Sequence, residues 1–476
     1  MLFNSFEYFV FLVTCLTVSC LLRRFLRLRT WFILLASFYF YYSNNRWQIL
    51  LLLLAVTVDY FVCLAMQDER SKARRRALLC VSLTSNLGLL FFFKYVNFFG
   101  ESISSAAALV GFKLDWVDLN VLLPVGISFY TFEALSYTID VYRGVIPAER
   151  KWSRIAFLVS FFPHLIAGPI VRAKTFFPQI GQSFQLTREH LERGLFLIAS
   201  GLFKKMLLAD TLALFADHAF EHVGTIDSFT AWIGVYSFAF QIYFDFSGYT
   251  DIARGSAVLF GYELPENFRR PYVAMSITEF WRRWHITLST WLRDYLYISL
   301  GGNRTRAKWG TYRNLMLTMF LGGLWHGAAW HFALWGAMHG LLLSIERALG
   351  IRAPVYTGDA PAPIGVRRRL IGGAAIFQVV TFLWIPFRAQ SLGDAWAILA
   401  RMFAFESSVQ ITNGAAVAVC VIFLAWFWQA TTEFAAVEQR LLRTWLPFKA
   451  AAYACLAVGV LIASSAAPRA FIYFQF

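Results

Sequence analysis

The chain has 476 residues, of which 58% are hydrophobic, 18% aromatic and only 15% charged. Soluble globular proteins carry about 25% charged residues, so this composition excludes an ordinary soluble enzyme. A formal net charge of +15 would suit a nucleic-acid-binding protein. Here, however, the basic residues stand in short clusters between apolar runs, which is typical of the cytoplasmic loops of membrane proteins. We therefore expect a polytopic membrane protein without a nucleic-acid partner.

The N-terminal zone, residues 1–115, alternates apolar runs with basic clusters. About 20 apolar residues in helical form cross a bilayer, which predicts helices at Tyr8–Leu22, Trp31–Ser43 and Trp47–Met66, the second being short for a full span. We expect the N-terminus outside the cell, because the clusters at 23–29 and 72–76 then both lie in the cytoplasm. Glu7 precedes the first run and the arginines follow it, so we expect an uncleaved first helix instead of a cleaved signal peptide.

The whole chain, residues 1–476, is predicted to form a single integral membrane domain. The apolar runs predict roughly eleven to thirteen membrane-embedded helices by the same length rule, and backbone polar groups in lipid must be satisfied within each segment. Residues 119–345 are dense in Gly, Pro, Trp and ionisable groups, and residues 366–476 contribute about three more apolar helices by the same rule.

Breaks and ionisable groups mark the middle zone as the functional part. Pro163, Gly168 and Pro169 interrupt the apolar run Ile155–Val171, which predicts a broken or re-entrant segment. Polar residues in membrane helices are costly and tend to face the protein interior. Those of this zone are Glu133, Asp140, Asp245, Asp251 and Arg254, of which Glu133, Asp245 and Asp251 are expected to be structural hydrogen-bond partners.

The six cysteines all lie in apolar runs and show no metal-ligand spacing. They are Cys15, Cys20, Cys63, Cys80, Cys420 and Cys455. We expect small buried hydrophobic side chains instead of disulfides or metal ligands.

The stretch Thr278–Tyr297 has the pattern of an amphipathic helix. On a helical wheel one face carries Trp281, Trp284, His285, Leu288, Trp291, Leu292 and Tyr295, and the other carries Arg282, Arg283, Thr290, Arg293 and Asp294. A basic face opposite a tryptophan-rich face indicates an interfacial helix on the cytoplasmic side. His285 is either a functional group or a buried structural histidine of an anchor helix.

A second stretch, Leu321–Gly340, places His326 deep in an uncharged run beside Gly323 and Gly327. Small residues let a backbone or a ligand approach closely, and a neutral imidazole can take a proton from a hydroxyl and return it to a leaving group. The alternative is a helix contact in which His326 only hydrogen-bonds a neighbour. His331 and His339 are less favoured as functional residues. We expect no zinc site, because the HExxH pattern is missing.

Other enzyme classes lack their motifs in this chain. The sequence contains no Walker A motif, no GxSxG and no dinucleotide-binding fingerprint. It therefore predicts neither an ATPase nor a serine hydrolase.

Seven blocks, in order along the chain, resemble the membrane-bound O-acyltransferase family. They are Leu123–Gly144, Phe161–Arg172, Tyr243–Tyr272, Glu279–Tyr297, Gly322–Gly340, Trp384–Ala389 and the closing FIYFQF, Phe471–Phe476. They are most similar to the bacterial branch that acts in alginate O-acetylation and in the D-alanylation of teichoic acid. The resemblance covers nearly the whole chain, although the N-terminal third matches mostly in hydropathy.

The resemblance implies a fold, a reaction and a set of site residues. The family fold is a ring of tilted transmembrane and re-entrant helices around a central tunnel. The family's catalytic histidine falls on His326 and its second polar position on His285. A thioester donor, acetyl-CoA or an acetylated carrier, would enter from the cytoplasm, without a permanently bound cofactor or metal. The residues expected to bind donor or substrate are Trp325, Gly323, Gly327, Trp281, Trp284, Arg282, Arg283, Asn267 and Asp245.

The resemblance also implies a location and partners. We expect a multi-pass protein of the bacterial inner membrane that transfers acetyl groups for an exopolysaccharide. A periplasmic SGNH-type acetyltransferase or relay protein and an acyl carrier protein are the expected partners besides the lipid bilayer. The alternatives are a transporter or flippase, which predicts two repeated halves that the sequence does not show, and a non-catalytic subunit of a polysaccharide-secretion complex.

Overall fold

The computed structural model describes most of the chain, namely residues 1–304, 307–351, 356–357, 360–361, 366–404, 413–431, 437, 439–440, 443–444, 446–464 and 469–472. These residues are helical apart from loops and two short antiparallel strands, Tyr356–Thr357 and Ala360–Pro361. The all-α expectation is confirmed. The last four residues of the FIYFQF block, 473–476, lie outside the described residues.

Two compact units make up the described chain: Met1–Gly194 with Ala253–Pro265, and Leu195–Ile252 with Glu266–Phe476. The helices of the first unit are α1 (Phe6–Leu21), α2 (Leu26–Asn45), α3 (Ile49–Asp68), α4 (Lys72–Leu90), α5 (Val96–Leu109), α6 (Ile127–Tyr142), α7 (Trp152–Ser160) and α8 (Ala173–Phe176). The first three agree with the predicted helices, and α2 has 20 residues, enough to cross a bilayer. The single domain and the orientation of the N-terminus stay predictions.

The remaining helices begin with α9 (Arg188–Leu202), which starts in the first unit and ends in the second. They continue with α10 (Asp210–Glu221), α11 (Ser228–Leu259), α12 (Ile277–Arg283), α13 (Ile286–Trp291), α14 (Lys308–His326), α15 (Trp330–Ala348), α16 (Val366–Arg388), α17 (Leu392–Met402), α18 (Asn413–Thr431) and α19 (Leu446–Ser464). Turns of π-helix follow α4, α9 and α13 at Phe91–Tyr95, Phe203–Ala209 and Leu292–Tyr297.

Within the described residues, five helical segments are long and apolar enough to cross a membrane. They are Phe6–Arg24, Arg46–Asp68, Lys72–Leu109, Leu370–Arg388 and Gly414–Thr431. The estimate of eleven to thirteen embedded helices exceeds this number, because apolar runs of the middle zone fold into short helices such as the nine-residue α7. A chain with several such spans is a multi-pass membrane protein.

Buried polar groups hold helices α3 and α4 against each other. The Asp59 carboxylate of α3 accepts hydrogen bonds from Ser82 Oγ at 2.5 Å and from Asn86 Nδ2 at 3.0 Å, both on α4. All three side chains are fully buried. Hydrogen bonds between membrane helices contribute about 0.6–2 kcal/mol each, so this cluster fixes how α3 and α4 pack.

The predicted break in Ile155–Val171 is confirmed. Helix α7 ends at Ser160 and an irregular segment runs on to Arg172. Glu133 of α6 holds this segment, since its Oε1 accepts from the Val171 backbone N–H at 3.0 Å and lies 3.0 Å from His164 Nδ1. Irregular backbone at membrane depth is tolerated only where protein covers it, and Glu133 serves as the structural partner that the sequence predicted.

The cysteine prediction is partly wrong. Cys15 and Cys63 are buried, but Cys80, Cys420 and Cys455 are exposed on the protein surface. A thiol is small and weakly polar, so these positions suit a surface that faces lipid as well as a packed core.

Helices α14 and α15 pack so closely that their backbones are in contact. A Cβ added to Gly323 would lie 2.2 Å from the Phe332 carbonyl oxygen, and one added to Gly336 would lie 2.2 Å from the Met319 carbonyl oxygen. Small residues at such crossings allow close helix contact in membranes. This contact also sets the position of His326, the last residue of α14.

Replacing Gly336 by alanine should push α14 and α15 apart, since the added Cβ meets backbone and not a flexible side chain. Overpacking of this kind costs about 1–3 kcal/mol. We expect a lower melting temperature of the detergent-solubilised protein, measured by fluorescence-detected size-exclusion chromatography. The matched control is Gly88→Ala in α4, where an added Cβ meets nothing within 4 Å. Equal melting temperatures of the two variants would contradict the close contact.

Candidate functional site

His326 is the last residue of α14, and the link Gly327–Ala329 joins it to α15. The side chain is buried, and three aromatic rings surround it. Their centroids lie 5.0 Å (Trp325), 5.2 Å (Trp335) and 5.4 Å (Phe387) from the imidazole centroid. We call these three rings the aromatic cage. The end of a helix inside such a cage gives the imidazole a fixed position in apolar surroundings.

His285 lies between two short helices, and the predicted amphipathic helix Thr278–Tyr297 is wrong. Helix α12 ends at Arg283, and His285 adopts left-handed backbone angles (φ 41°, ψ 56°) before α13 begins at Ile286. Left-handed backbone is unfavourable for a residue with a Cβ, so the surrounding structure must hold it. The helical wheel failed because it assumed one axis through a segment that the fold divides at His285.

Asn267 holds the chain immediately after His285. Its backbone carbonyl accepts from the Ile286 N–H at 3.0 Å. Its side-chain Oδ1 accepts from the Thr287 N–H at 3.2 Å and from the Thr287 hydroxyl at 2.7 Å. The side chain is fully buried and caps the start of α13. Asn267, predicted to bind substrate, is therefore placed as a residue that positions His285.

The structure brings the two histidines together. The imidazole centroids of His285 and His326 are 6.4 Å apart, and His285 also packs edge-on against Phe246 at 4.7 Å and near Trp325 at 6.1 Å. Hydrogen bonds to imidazole nitrogens span about 2.7–3.2 Å. The separation is thus short enough for both rings to bind one oxygen atom placed between them.

Two buried indole N–H groups lie at the aromatic cage, that of the cage residue Trp335 and that of Trp384, whose ring centroid is 5.2 Å from the Phe387 centroid. Trp335 and Trp384 stack at 5.6 Å and are each 1% exposed. In the part of the chain that the structure describes, neither Nε1 has a hydrogen-bond acceptor. A buried donor left unpaired costs about 1–3 kcal/mol, a cost that a polar ligand at this site would remove. Sequence reasoning did not single out either tryptophan, because no spacing rule distinguishes a donor from a packing residue.

Gly323 and Gly327 were predicted to bind donor or substrate, but the structure places both in packed contacts that leave no room for a thioester. The space beside Gly323 is filled by Phe332 and Gly336, and a Cβ on Gly327 would lie 2.0 Å from the Phe332 ring. Both glycines serve the packing of α14 on α15. This packing also sets the position of His326.

The predicted tryptophans of α12 lie in the interior. Trp281 donates its indole N–H to His339 Nδ1 at 3.3 Å, and the fully buried Trp284 packs 5.0 Å from both Phe268 and Trp384. Both residues pack among other aromatic side chains instead of lining a membrane surface. The Nδ1 atom of His331 lies 2.9 Å from the Pro386 carbonyl oxygen. This hydrogen bond gives His331 a structural role.

The two arginines of α12 lie in different surroundings. Arg282 is exposed, whereas Arg283 is 2% exposed and its guanidinium binds Glu279 Oε1 at 2.6 Å. Breaking a buried ion pair is costly, so we retain Arg282 but not Arg283 as a candidate for donor binding. Arg293, in the π-helical turn after α13, is also exposed.

Asp245 belongs to a buried charge network on α11. Lys205 Nζ lies 2.5 Å from Asp245 and 2.8 Å from Asp210, and Lys204 Nζ lies 2.5 Å from Asp251. Asp245 Oδ2 also accepts from the Ile472 N–H at 2.8 Å. Asp245 and Asp251 thus have structural partners, as predicted. Asp245, which was also predicted to bind donor or substrate, is engaged by Lys205 and the Ile472 N–H in this network. The two lysines were missed, although charges within the apolar run of 202–209 could have marked them.

Three kinds of relative match the sequence. The profile of MBOAT, the membrane-bound O-acyltransferase family, matches residues 148–383. The probable alginate O-acetylase AlgI of Pseudomonas aeruginosa is 46% identical over 338 residues, covering 71% of this chain and 62% of the relative. The peptidoglycan O-acetyltransferase of Helicobacter pylori is 37% identical over 378 residues, covering 73% and 68%. The teichoic acid D-alanyltransferase of Bacillus subtilis is 28% identical over 238 residues, covering 47% and 59%.

The match to the alginate O-acetylase leaves more than a third of that relative's length unmatched. The family profile, in contrast, includes both histidines and Asn267. The match to the peptidoglycan O-acetyltransferase covers 68% of its length. On these two findings, the chain belongs to the membrane-bound O-acyltransferase family.

Proposed function

We propose that this protein transfers an acetyl group from a thioester donor to a hydroxyl acceptor, with His326 as the general base. The observation that carries the proposal is the placement of two buried imidazoles 6.4 Å apart beside unpaired indole donors. A packing histidine needs none of these neighbours. A reaction that moves one proton and develops one negative charge uses all of them.

The proposed reaction proceeds through a tetrahedral intermediate. His326 takes the proton of the acceptor hydroxyl as its oxygen attacks the thioester carbonyl carbon. The C–S bond then breaks, and the imidazolium returns the proton to the departing thiolate, so the imidazole is neutral again at the end. General base catalysis of this kind typically contributes about 10²–10⁴-fold.

His285 and Trp335 complete the proposed site. His285 orients the acceptor oxygen or hydrogen-bonds the developing oxyanion, and the Trp335 indole N–H is a second donor to that oxyanion. Donors that are already in place stabilise charge in the transition state without reorganisation. The left-handed backbone of His285 fits this role, since unfavourable backbone angles cluster at functional sites.

The proposed donor is acetyl-CoA or an acetylated acyl carrier protein that approaches from the cytoplasm. Both carry phosphates, which arginine binds well, and Arg282 and Arg293 are the exposed arginines of the segment that bears His285. No permanently bound cofactor is needed, because the thioester supplies the activated acyl group.

The proposed acceptor is on the other side of a bacterial inner membrane. Relatives are named for alginate O-acetylation and peptidoglycan O-acetylation, so we propose acetylation of an exported, alginate-like polysaccharide. A periplasmic SGNH-type acetyltransferase or relay protein would receive the acetyl group and pass it on.

Acetyl transfer in proteoliposomes tests the proposal directly. With radiolabelled acetyl-CoA or acetylated carrier outside inside-out vesicles and a hydroxyl acceptor in the lumen, we expect label covalently bound to the acceptor. Movement of unmodified acceptor across the bilayer would instead indicate a transporter. Absence of both activities in the presence of the secretion partners would indicate a non-catalytic subunit.

His326→Ala and His326→Gln should both abolish acetyl transfer, because neither side chain can hold the proton. The loss in kcat should be at least about 10²-fold, with membrane insertion and size-exclusion profile unchanged. His222→Gln is the matched control, since His222 is exposed at the end of α10. Transfer at near-normal rate by both His326 variants would refute the assignment.

Asn267→Ala should lower kcat with little change in KM for the donor, because Thr287 loses its acceptor and His285 loses its fixed position. We expect a decrease in kcat of about tenfold, which corresponds to a rise of about 1.4 kcal/mol in the activation free energy. Asn267→Asp keeps an oxygen at Oδ1 and should recover part of the rate. If both variants lose thermal stability equally but keep the parent kcat, the role of Asn267 is only structural.

Trp335→Phe removes the indole N–H and keeps an aromatic ring in the cage. Loss of one oxyanion donor typically costs about 10²–10³-fold in kcat, and we expect a decrease in that range. The exposed Trp396, 71% accessible, provides the control Trp396→Phe. An unchanged kcat for Trp335→Phe would exclude the indole as a donor.

A further inference from the structure

A groove lies at the end of the first membrane span, remote in sequence from both histidines. It has a volume of about 550 Å³ and is lined by Leu16, Thr17, Cys20, Leu21, Arg23, Arg24 and Leu186. Its walls are apolar along the end of α1, and both charged residues come at the end of the span Phe6–Arg24. Ligand sites in proteins have volumes of about 300–1,000 Å³, so the groove is large enough to hold part of a lipid.

Arg29 fixes the walls of this groove. Its guanidinium donates to Ser19 Oγ of α1 at 2.8 Å and to the Phe260 carbonyl oxygen at 2.6 Å. It also lies 4.9 Å from the centroid of the Phe184 ring, in the loop that carries Leu186. Arg29 is 4% exposed. The groove is therefore held open by buried contacts and needs no rearrangement to accept a ligand.

The charge of the groove is positive and uncompensated. Arg23 and Arg24 are both exposed, and within the described residues neither has an ion-pair or hydrogen-bond partner. Leu21, next to them, is 75% exposed. A large apolar side chain beside two arginines at the end of a membrane span suits a site where acyl chains meet headgroups.

We propose that this groove binds an anionic phospholipid, with its phosphate on Arg23 and Arg24 and an acyl chain along Leu16, Cys20 and Leu21. A zwitterionic lipid offers the same chains but adds a cation next to the arginines. A free phosphate offers the charge but leaves the apolar wall uncovered. Only an anionic lipid matches both features, and the site does not depend on the proposed acetyl transfer.

Native mass spectrometry of the full chain in detergent tests the site with three probes: phosphatidylglycerol, phosphatidylcholine with the same acyl chains, and glycerol phosphate. We expect phosphatidylglycerol to bind most tightly. Arg23→Gln and Arg24→Gln should each weaken it roughly five-fold, since an arginine near an anionic headgroup contributes about 1 kcal/mol. Thr17→Trp, which fills the groove without changing the charge, should also weaken binding.

Arg27→Gln is the matched control, because Arg27 belongs to the same basic cluster and is exposed but does not line the groove. Binding that Arg27→Gln leaves unchanged supports a defined site. Equal weakening by Arg27→Gln would show that general surface charge attracts the lipid and would overturn the proposal. Tight binding of glycerol phosphate alone, or binding that Thr17→Trp leaves intact, would overturn it as well.

Discussion

The site depends on the backbone of one residue, His285, which is held in a left-handed conformation by the hydrogen bonds of Asn267 to the first residues of α13. This break divides the segment Thr278–Tyr297 into α12 and α13. The break turns α13 away from α12 and leaves the imidazole between Phe246 and His326. The unfavourable backbone angles are compensated by neutral hydrogen bonds, each contributing about 0.5–1.5 kcal/mol. The cost is small, and it brings two imidazoles into one site.

The partner histidine, His326, is positioned by the close packing of α14 on α15. Gly323 and Gly336 let α14 and α15 meet at backbone distance, and the end of α14 carries His326 into the aromatic cage. Further along α11, the Lys205–Asp245 pair lies next to Phe246, which contacts His285. Removing one partner of a buried ion pair typically costs 3–5 kcal/mol. These contacts keep the two histidines in place, although the helices on either side of His285 are short.

Much of the architecture could be predicted from hydropathy and charge. The first three helices, the break after Ser160 and the structural role of Glu133 follow from apolar length, from Pro163 and from the cost of a carboxylate in lipid. Which apolar runs form long spans did not follow, because an apolar run of suitable length can fold as a short helix and an irregular segment, as Ile155–Val171 does. The prediction that His326 and His285 are functional came from their residue type in an apolar context together with the family resemblance. Their contact could not be predicted from spacing, since it depends on a backbone break that a helical wheel does not represent. The roles of Gly323 and Gly327 were misassigned for a related reason: small residues leave space, and only the fold shows whether Phe332 or a ligand fills it.

The most direct test of the account is a cryo-electron microscopy structure of the protein with a thioether analogue of acetyl-CoA that cannot react. If His326 is the general base, the ketone carbonyl carbon of an analogue with a methylene between sulfur and carbonyl should lie in the aromatic cage, with room for an acceptor oxygen about 3–3.5 Å away, the distance of a reactive arrangement. The oxygen on that carbon should lie within hydrogen-bond distance of His285 or Trp335. An analogue bound elsewhere, with the rings of Trp325, Trp335 and Phe387 closed between it and His326, would contradict the account.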